Sequence, residues 1–546
     1  MDQILLAVPA LLPLAGGMGL LLASRSGHRK ASYTKLKWYV MLITVLNSLV
    51  LLWLVFHAGV QDHMVLFRLY GALRVSFCLD GMGRVFAVLI SVLWPLAVLY
   101  SFEYMKEEDR KGTFFAYYLM TYGVTAGIAL AGNLITLYLF YEMLTLATFP
   151  LVLFPMTREA VRASRKYLYY SIGGAAFAFL GLVFVLTFSA IGSTDFRPGG
   201  MLDLALADSR KNTLLLMYVL AFFGFGVKAV VFPCHRWLPL ATVAPTPVTA
   251  LLHAVAVVKS GAFAILRLTY FSFGTEFLAG TWAQWAVMAA AMVTIAYGST
   301  MAVKEVHWKR RLAYSTTSNL SYILLAASMM SGHGLAAALA HMVFHAFMKI
   351  CSFFCAGAVM HQTGKTHVYE LDGLARKMPV TFGCLTVASL SLVGIPPFAG
   401  FISKWNIAGA AFACGMTSGA VGGEAGVEVL TAGGGSGMLP QILGGIGGIL
   451  PFAAVLVLLY SALMTAVYML TVLVRAYVPA KVRAHMPEQA QAHVPAAEET
   501  AVGEAAGDPG WRMLVPLVVF AVVILGLGLY SQPLLSFLME IGGDAA

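Results

Sequence analysis

Long apolar runs separated by short polar breaks set the pattern of this chain from end to end. A helix needs about 18 to 25 apolar residues to cross a bilayer. Runs of that kind fall near 4–24, 38–57, 81–102, 113–131, 133–155, 166–191, 212–233, 245–269, 281–303, 311–330, 334–360, 379–413, 451–475 and 513–531. Backbone groups inside hydrocarbon must find partners within their own segment, so each run is expected to be helical. The pattern predicts an all-α polytopic membrane protein with about 14 transmembrane helices and both termini on one side.

Two runs are interrupted. "GFGVKAVVFPCHRWLP" sets Lys228 in an apolar stretch and follows it with Pro233, and "VGIPPFAGFISKW" breaks at Pro396 and Pro397 before Lys404. Proline removes a backbone donor and stops a helix. Broken helices at corresponding places in two halves point to inverted repeats with a site near the bilayer midplane. The expected units are residues 1–112, helices 1–3 with an outside hairpin around Gly71; 113–271, a first repeat of helices 4–8; 281–477, a second inverted repeat of helices 9–13; and 478–546, a cytoplasmic loop and helix 14. Helices 7 and 12 are the broken ones. Residues 415–450, rich in glycine and without lysine or arginine, read as an outside loop, and 480–510 as a mobile cytoplasmic loop.

Composition agrees, with 60% hydrophobic and 11% charged residues. A formal charge of +10 would suggest nucleic acid in a soluble protein, but here it follows topology. Odd-numbered loops hold 24 of the 35 lysines and arginines, whereas even-numbered loops hold six: Arg68, Arg74, Arg84, Arg197, Arg210 and Lys211. The positive-inside rule then makes the odd loops cytoplasmic and puts both termini on the outer side of a cell inner or plasma membrane. Nucleic acid is not an expected partner; the lipid bilayer is. The first run lacks a basic leader and a cleavage site and reads as a retained span. Six cysteines, mostly in apolar runs, show no paired metal-site spacing.

Five basic residues remain, and all fall inside spans: Lys228, Lys259, Arg267, Lys349 and Lys404. Arg267 lies near a helix end and is expected to snorkel to the interface. Of the 25 acids, only Glu142 lies deep in a span. A charge at bilayer depth costs about 2.5–3.5 kcal/mol, so such residues face protein or water and have a task. Burial disfavours the charged form of a lysine and a nearby carboxylate favours it, which makes a buried lysine a switchable proton site. One glutamate cannot neutralise four lysines, so the set points to a relay, with Glu142 as the partner of Lys228. His253, His341 and His345 extend it, and His341, His345 and Lys349 share one helix stripe at i, i+4 and i+8. No metal is expected, because no carboxylate or cysteine completes a shell and Lys349 would repel a cation. No cofactor is expected either, since nucleotide, flavin, haem and iron–sulfur motifs are missing.

Five stretches carry a resemblance: "NLITLYLFYEML", "GFGVKAVVFPCHRWLPLATVAPTPVTALLHAVAVVKSGAFAILR", "KRRLAYSTTSNLSYILLA", "HMVFHAFMKICSFFCAGAVMHQTG" and "SLVGIPPFAGFISKW". In their order and spacing, over roughly residues 80–480, the sequence resembles the antiporter-like proton-translocating membrane subunits shared by respiratory complex I, Mrp-type cation/proton antiporters and membrane-bound energy-converting hydrogenases. The resemblance implies a fourteen-helix core with a central hydrophilic axis along the membrane. It also implies roles by position: Glu142, Lys228, Lys259 and Lys404 match the family's proton-transfer residues of spans 5, 7, 8 and 12. His253 and the stripe of His341, His345 and Lys349 look most like the distal complex I subunit and the large Mrp subunit. Asn319 stands where many members have histidine, so the link there runs through water or His345.

The implied function is a proton-translocating subunit of a multisubunit membrane complex, with other membrane subunits as partners, another antiporter-like subunit among them. Such a subunit would have no redox site of its own and would serve an NADH:quinone oxidoreductase-like or hydrogenase-like assembly. The chain stops soon after span 14, where the two subunits it most resembles continue. On length neither identity fits cleanly, which leaves members of hydrogenase complexes or of inorganic-carbon uptake systems; the alternatives to the leading reading are an Mrp-type sodium/proton antiporter subunit, which would carry sodium as well as protons, and an inorganic-carbon uptake membrane subunit.

Overall fold

A computed structural model of the chain describes residues 3–25, 33–59, 62–71, 73–189, 194–421, 448–478 and 507–545. Its helices follow the apolar runs: α1 (Val8–Arg25), α2 (Tyr33–His57), α3 (Gly81–Tyr104), α4 (Lys111–Ala129), α5 (Leu134–Leu153), α6 (Arg158–Thr187) and α7 (Lys211–Gly226). Next comes α8 (Thr246–Phe273), which bends after Ala254 and ends in a wide turn from Arg267. It is followed by α9 (Trp282–Lys304), α10 (Trp308–Ala327), α11 (Gly332–Thr363), α12 (Pro379–Val393), α13 (Ala399–Val421), α14 (Leu450–Tyr477), α15 (Trp511–Leu529) and, beyond the last of the apolar runs, α16 (Gln532–Ala545).

Among the described residues nine helices are long and apolar enough to cross a membrane, and α7 and α12 are shorter apolar helices. Both are halves of a broken helix. α10 falls outside the nine, with Lys309, Arg310 and Arg311 at its start and hydroxyl and amide side chains through its middle, "YSTTSNLSY". The glycine-rich stretch expected as a loop from 415 begins as helix, since α13 runs to Val421; residues 422–447, like the polar stretch 479–506, lie outside the described residues.

The hairpin is present as β1 (His63–Tyr70) and β2 (Leu73–Cys78), antiparallel, turning at Gly71 with φ 54°. It is tied to the start of α5. Asn133 caps that helix by accepting from the Thr136 amide, and its side-chain amide donates to the Arg74 carbonyl and the Ser76 hydroxyl.

Burial separates the helices into two kinds. The apolar windows of α8 and α11 are 100% buried, whereas those of α2 and α14 are 39% and 28% buried. α11 packs against α3, α8, α10, α12, α13, α15 and α16. The two enclosed spans therefore carry their polar residues toward protein and away from lipid.

Candidate functional site

The first helix break opens after Gly226. The Val231 amide reaches back to the Gly226 carbonyl at 2.9 Å, and Val230 takes φ 66°, a conformation that β-branched residues rarely adopt. Freed backbone groups find side-chain partners: Phe232 N donates to Thr294 Oγ1 at 3.0 Å, and Trp237 Nε1 to the Val227 carbonyl at 2.8 Å. Within this break the fully buried Lys228 donates to the Tyr141 carbonyl, lies over the Tyr141 ring, and stands 3.8 Å from Glu142 Oε1. Glu142 is different in kind, for its side chain keeps 28% of its exposure. It joins the buried lysine to the outer face of α5.

α8 meets this break with almost no space between. A Cβ at Gly261 would lie 2.4 Å from Ala229 N and 2.7 Å from the Lys228 carbonyl carbon, so only glycine fits. Two residues before it, Lys259 Nζ lies 2.5 Å from His345 Nδ1 on α11. The rings of His345 and His341 stack at 5.6 Å, and His341 Nδ1 lies 2.9 Å from Ser403 Oγ on α13. Lys349, two turns on from His341, donates to Ser315 Oγ at 2.6 Å and to the Leu312 carbonyl at 3.2 Å, and Ser315 in turn meets Tyr468 Oη at 2.5 Å. His253 has no hydrogen-bond partner and packs on Phe353, within electrostatic reach of Lys349 and Lys259. Asn319 donates to the Ser315 carbonyl and leaves its buried Oδ1 unpartnered. All of these side chains are buried.

The second break repeats the logic with other residues. α12 ends at Gly394, φ 91°, and the Gly400 amide near the start of α13 donates to Ser391 Oγ at 3.1 Å. Lys404 Nζ reaches back to the last carbonyls of α12, Leu392 at 2.7 Å and Val393 at 2.9 Å, and lies over the Tyr322 ring. Lys404 lies one turn into α13, near the positive end of that helix. The amine instead caps the carbonyl end of the preceding one, where a cation is favoured. From Tyr322 the hydroxyl donates to Ser461 Oγ at 2.6 Å, which meets Ser299 Oγ at 2.5 Å.

Lys259, His345 and His341 thus form a run of contacts, with Lys349 in electrostatic reach of His345 and Lys404 in electrostatic reach of His341. Glu142 and Lys228 stand together at the other break. The hydroxyls of Ser315, Ser403, Tyr322 and Tyr468 that complete these contacts went unremarked in the sequence, where serine and tyrosine are too common to stand out. Lys309 was counted among the loop residues, yet it folds inward to donate to the Ala244 carbonyl at 3.1 Å.

Arg267 corrects the expectation of snorkelling. It is 1% exposed, grips Asp80 with both terminal nitrogens, and lies over the rings of Phe196, Phe263 and Phe271. The wide turn at the end of α8 points it into protein, where a bidentate carboxylate compensates for burial. Among the described residues no group of three or more His, Cys, Asp or Glu side chains is placed to hold a metal ion.

Comparison with known proteins adds three findings. The family model described as NADH:quinone oxidoreductase/Mrp antiporter, TM, matches residues 131–427. Na(+)/H(+) antiporter subunit A1 of Staphylococcus aureus strain JH9 is 34% identical over 340 residues, as is that of strain Newman; the match takes in 60% of this chain and 41% of the length of these curated relatives. Among solved structures, the chain is similar in fold to one in the Mrp complex from Dietzia sp. DQ12-45-1b, with a TM-score of 0.76 at 21% identity, covering 100% of this chain and 98% of that one. It is similar also to a chain of the membrane-bound sulfane sulfur reductase, an archaeal respiratory membrane complex (0.75, 22%, covering 100% and 98%), and to one of respiratory complex I from Thermus thermophilus (0.71, 19%, covering 99% and 100%).

Proposed function

Because the chain belongs to the NADH:quinone oxidoreductase/Mrp antiporter membrane family, we propose that it is a proton-translocating, antiporter-like subunit of a multisubunit membrane complex. The observation that carries this reading is the buried run of titratable groups on two enclosed helices: Lys259 on α8 in contact with His345 on α11, and His341 and Lys349 on the same stripe. Groups that gain and lose protons, held in contact and shielded from lipid, are what a relay along the membrane needs. Glu142 and Lys228 act as the ion pair of one half-channel, Lys404 as the terminal group of the other, and Asn319 and His253 lie beside the path.

In this reading the chain crosses the membrane fourteen times, with residues 113–271 and 281–477 as inverted repeats and both termini on the outer side. The broken helices support it, since each carries a lysine at its break. Driving energy comes from neighbouring subunits. A second reading, a sodium/proton antiporter subunit, is favoured by the 34% identity to Na(+)/H(+) antiporter subunit A1.

The test is to purify the chain with its native partners, reconstitute the complex in vesicles and follow internal pH. Lys259→Met should abolish the proton gradient while the complex still assembles. A purely structural role for these residues would instead lower the amount of complex and leave the gradient per assembled complex unchanged. Repeating the measurement with and without an imposed sodium gradient separates the two readings.

A further inference from the structure

Away from the relay, a cavity of about 460 Å³ lies between α2, α3, α11 and α16. Its lining is apolar except for one cation: Phe56, Val88, Val343, Phe347 and Phe537 surround a space into which Arg84 also projects. The floor is buried, with Val343 and Phe347 at 9% and 7% exposure, whereas Phe56 on the rim is 79% exposed. The space is thus an open groove on the outside of the bundle. Arg84, Val88 and Val92 fall at i, i+4 and i+8 on α3, so the groove runs about 12 Å along that helix from a cationic end to an apolar one.

The carboxylates near the cationic end are engaged with other groups. Asp80 is within electrostatic reach of Arg84, but its two oxygens are taken by the Arg267 guanidinium and the Gly83 amide. Asp62 accepts from the Gly59 amide. Arg84 donates one bond, at 2.6 Å, to the Ala58 carbonyl; its buried Nε has no partner, and among the described residues it forms no ion pair. Both guanidiniums act on Asp80, and Asp62 nearby accepts from the Gly59 amide and forms no ion pair with Arg84, so Arg84 keeps donors for an anion at the mouth of the groove.

We propose that this groove binds an anionic phospholipid, with its phosphate at Arg84 and one acyl chain along Val88 and Val92 against Phe347. A guanidinium can pair with a lipid phosphate through charge-assisted hydrogen bonds in either leaflet, here the outer one by the positive-inside reading, and the apolar stripe offers the chain a place out of water. No protein segment is needed to explain the match, since charge and apolar surface are arranged end to end as in a lipid. The site also bears on the relay helix, because Val343 and Phe347 lie on α11 beside His341 and His345.

The experiment uses the full chain, delipidated in detergent and mixed with dioleoyl phosphatidylglycerol or dioleoyl phosphatidylethanolamine, with bound lipid counted by native mass spectrometry. The wild-type chain should retain phosphatidylglycerol about fivefold better, the contribution of one basic residue near an anionic headgroup. Arg84→Gln should erase that preference, Arg84→Lys should keep most of it, and Val88→Trp should lower retention of both lipids by filling the groove. Glycerol 3-phosphate, which has the phosphate without the chains, should not displace bound lipid. Equal retention of the two lipids by the wild-type chain, or an undiminished preference in Arg84→Gln, overturns the proposal, as does displacement by glycerol 3-phosphate. If Arg84→Gln does not fold, phosphatidylglycerol carrying a photoreactive acyl chain decides it on the wild-type chain: labelling at Val88 or Phe347 supports the site, and labelling confined to other helices overturns it.

Discussion

Lys259 on α8 and His345 on α11 meet at 2.5 Å, amine to Nδ1, so that two fully enclosed helices hold one proton position between them. Either group can carry the proton while the other accepts, and no backbone need move for the exchange. His345→Ala should leave assembly intact and lower the rate of gradient formation by about a hundredfold or more, the usual worth of a positioned proton-transfer group. A rate within twofold of wild type would remove this contact from the path.

Glu142 and Lys228 lend themselves to a double-mutant cycle. Lys228→Met strands a carboxylate that keeps 28% of its exposure and can turn toward water or a neighbouring subunit, so the stability loss should be the smaller one, about 1 kcal/mol. Glu142→Gln leaves a fully buried ammonium and should cost more, nearer the roughly 3–5 kcal/mol of a broken buried pair. The double variant should recover most of the stability and none of the transport. Thermal melting in detergent and vesicle acidification read the two quantities separately.

For Lys404 the informative change is to arginine. Arginine can still donate to the Leu392 and Val393 carbonyls but does not give up its proton. Lys404→Arg should therefore keep the melting temperature near wild type and abolish proton translocation. Lys404→Glu brings an acceptor to a pair of acceptors and should destabilise the break. Normal pumping by the arginine variant would limit Lys404 to a structural cap.

Arg267 should matter for folding and leave transport alone. Removing one member of a buried, bidentate pair costs about 3–5 kcal/mol. Arg267→Gln should lower the melting temperature sharply, Asp80→Asn in the same chain should restore much of it, and the gradient per assembled complex should stay near wild type. A selective loss of transport at unchanged stability would place this pair in the ion path.

Much of this could be read from the chain because apolar surroundings make exceptions visible. A lysine amid alanine, valine and phenylalanine announces itself, as Lys228, Lys259 and Lys349 do, and prolines announce the breaks. Partners were harder. Lys228 and Glu142 could be matched because Glu142 was the single deep carboxylate, but nothing local pairs Lys259 with His345 across 86 positions. Arg267 was misread for a related reason: sequence distance to a helix end gives depth along the axis and is silent on whether a side chain points to lipid or to an N-capping aspartate on another helix. The prolines mark the break at Lys404, but not which carbonyls its amine meets, since a long side chain can answer to the helix behind it as easily as to the one that bears it.

One dimension of the molecule is set without side chains at all. Where Gly261 rests on the main chain of Lys228 and Ala229, there is no rotamer to adjust and no methyl group to compress. The spacing between the segment bearing Lys228 and the turn bearing Lys259 is therefore a bearing surface of bare backbone, with no play in it. A tilt of the broken helix would press on α8 through this backbone contact, two residues from the amine that touches His345.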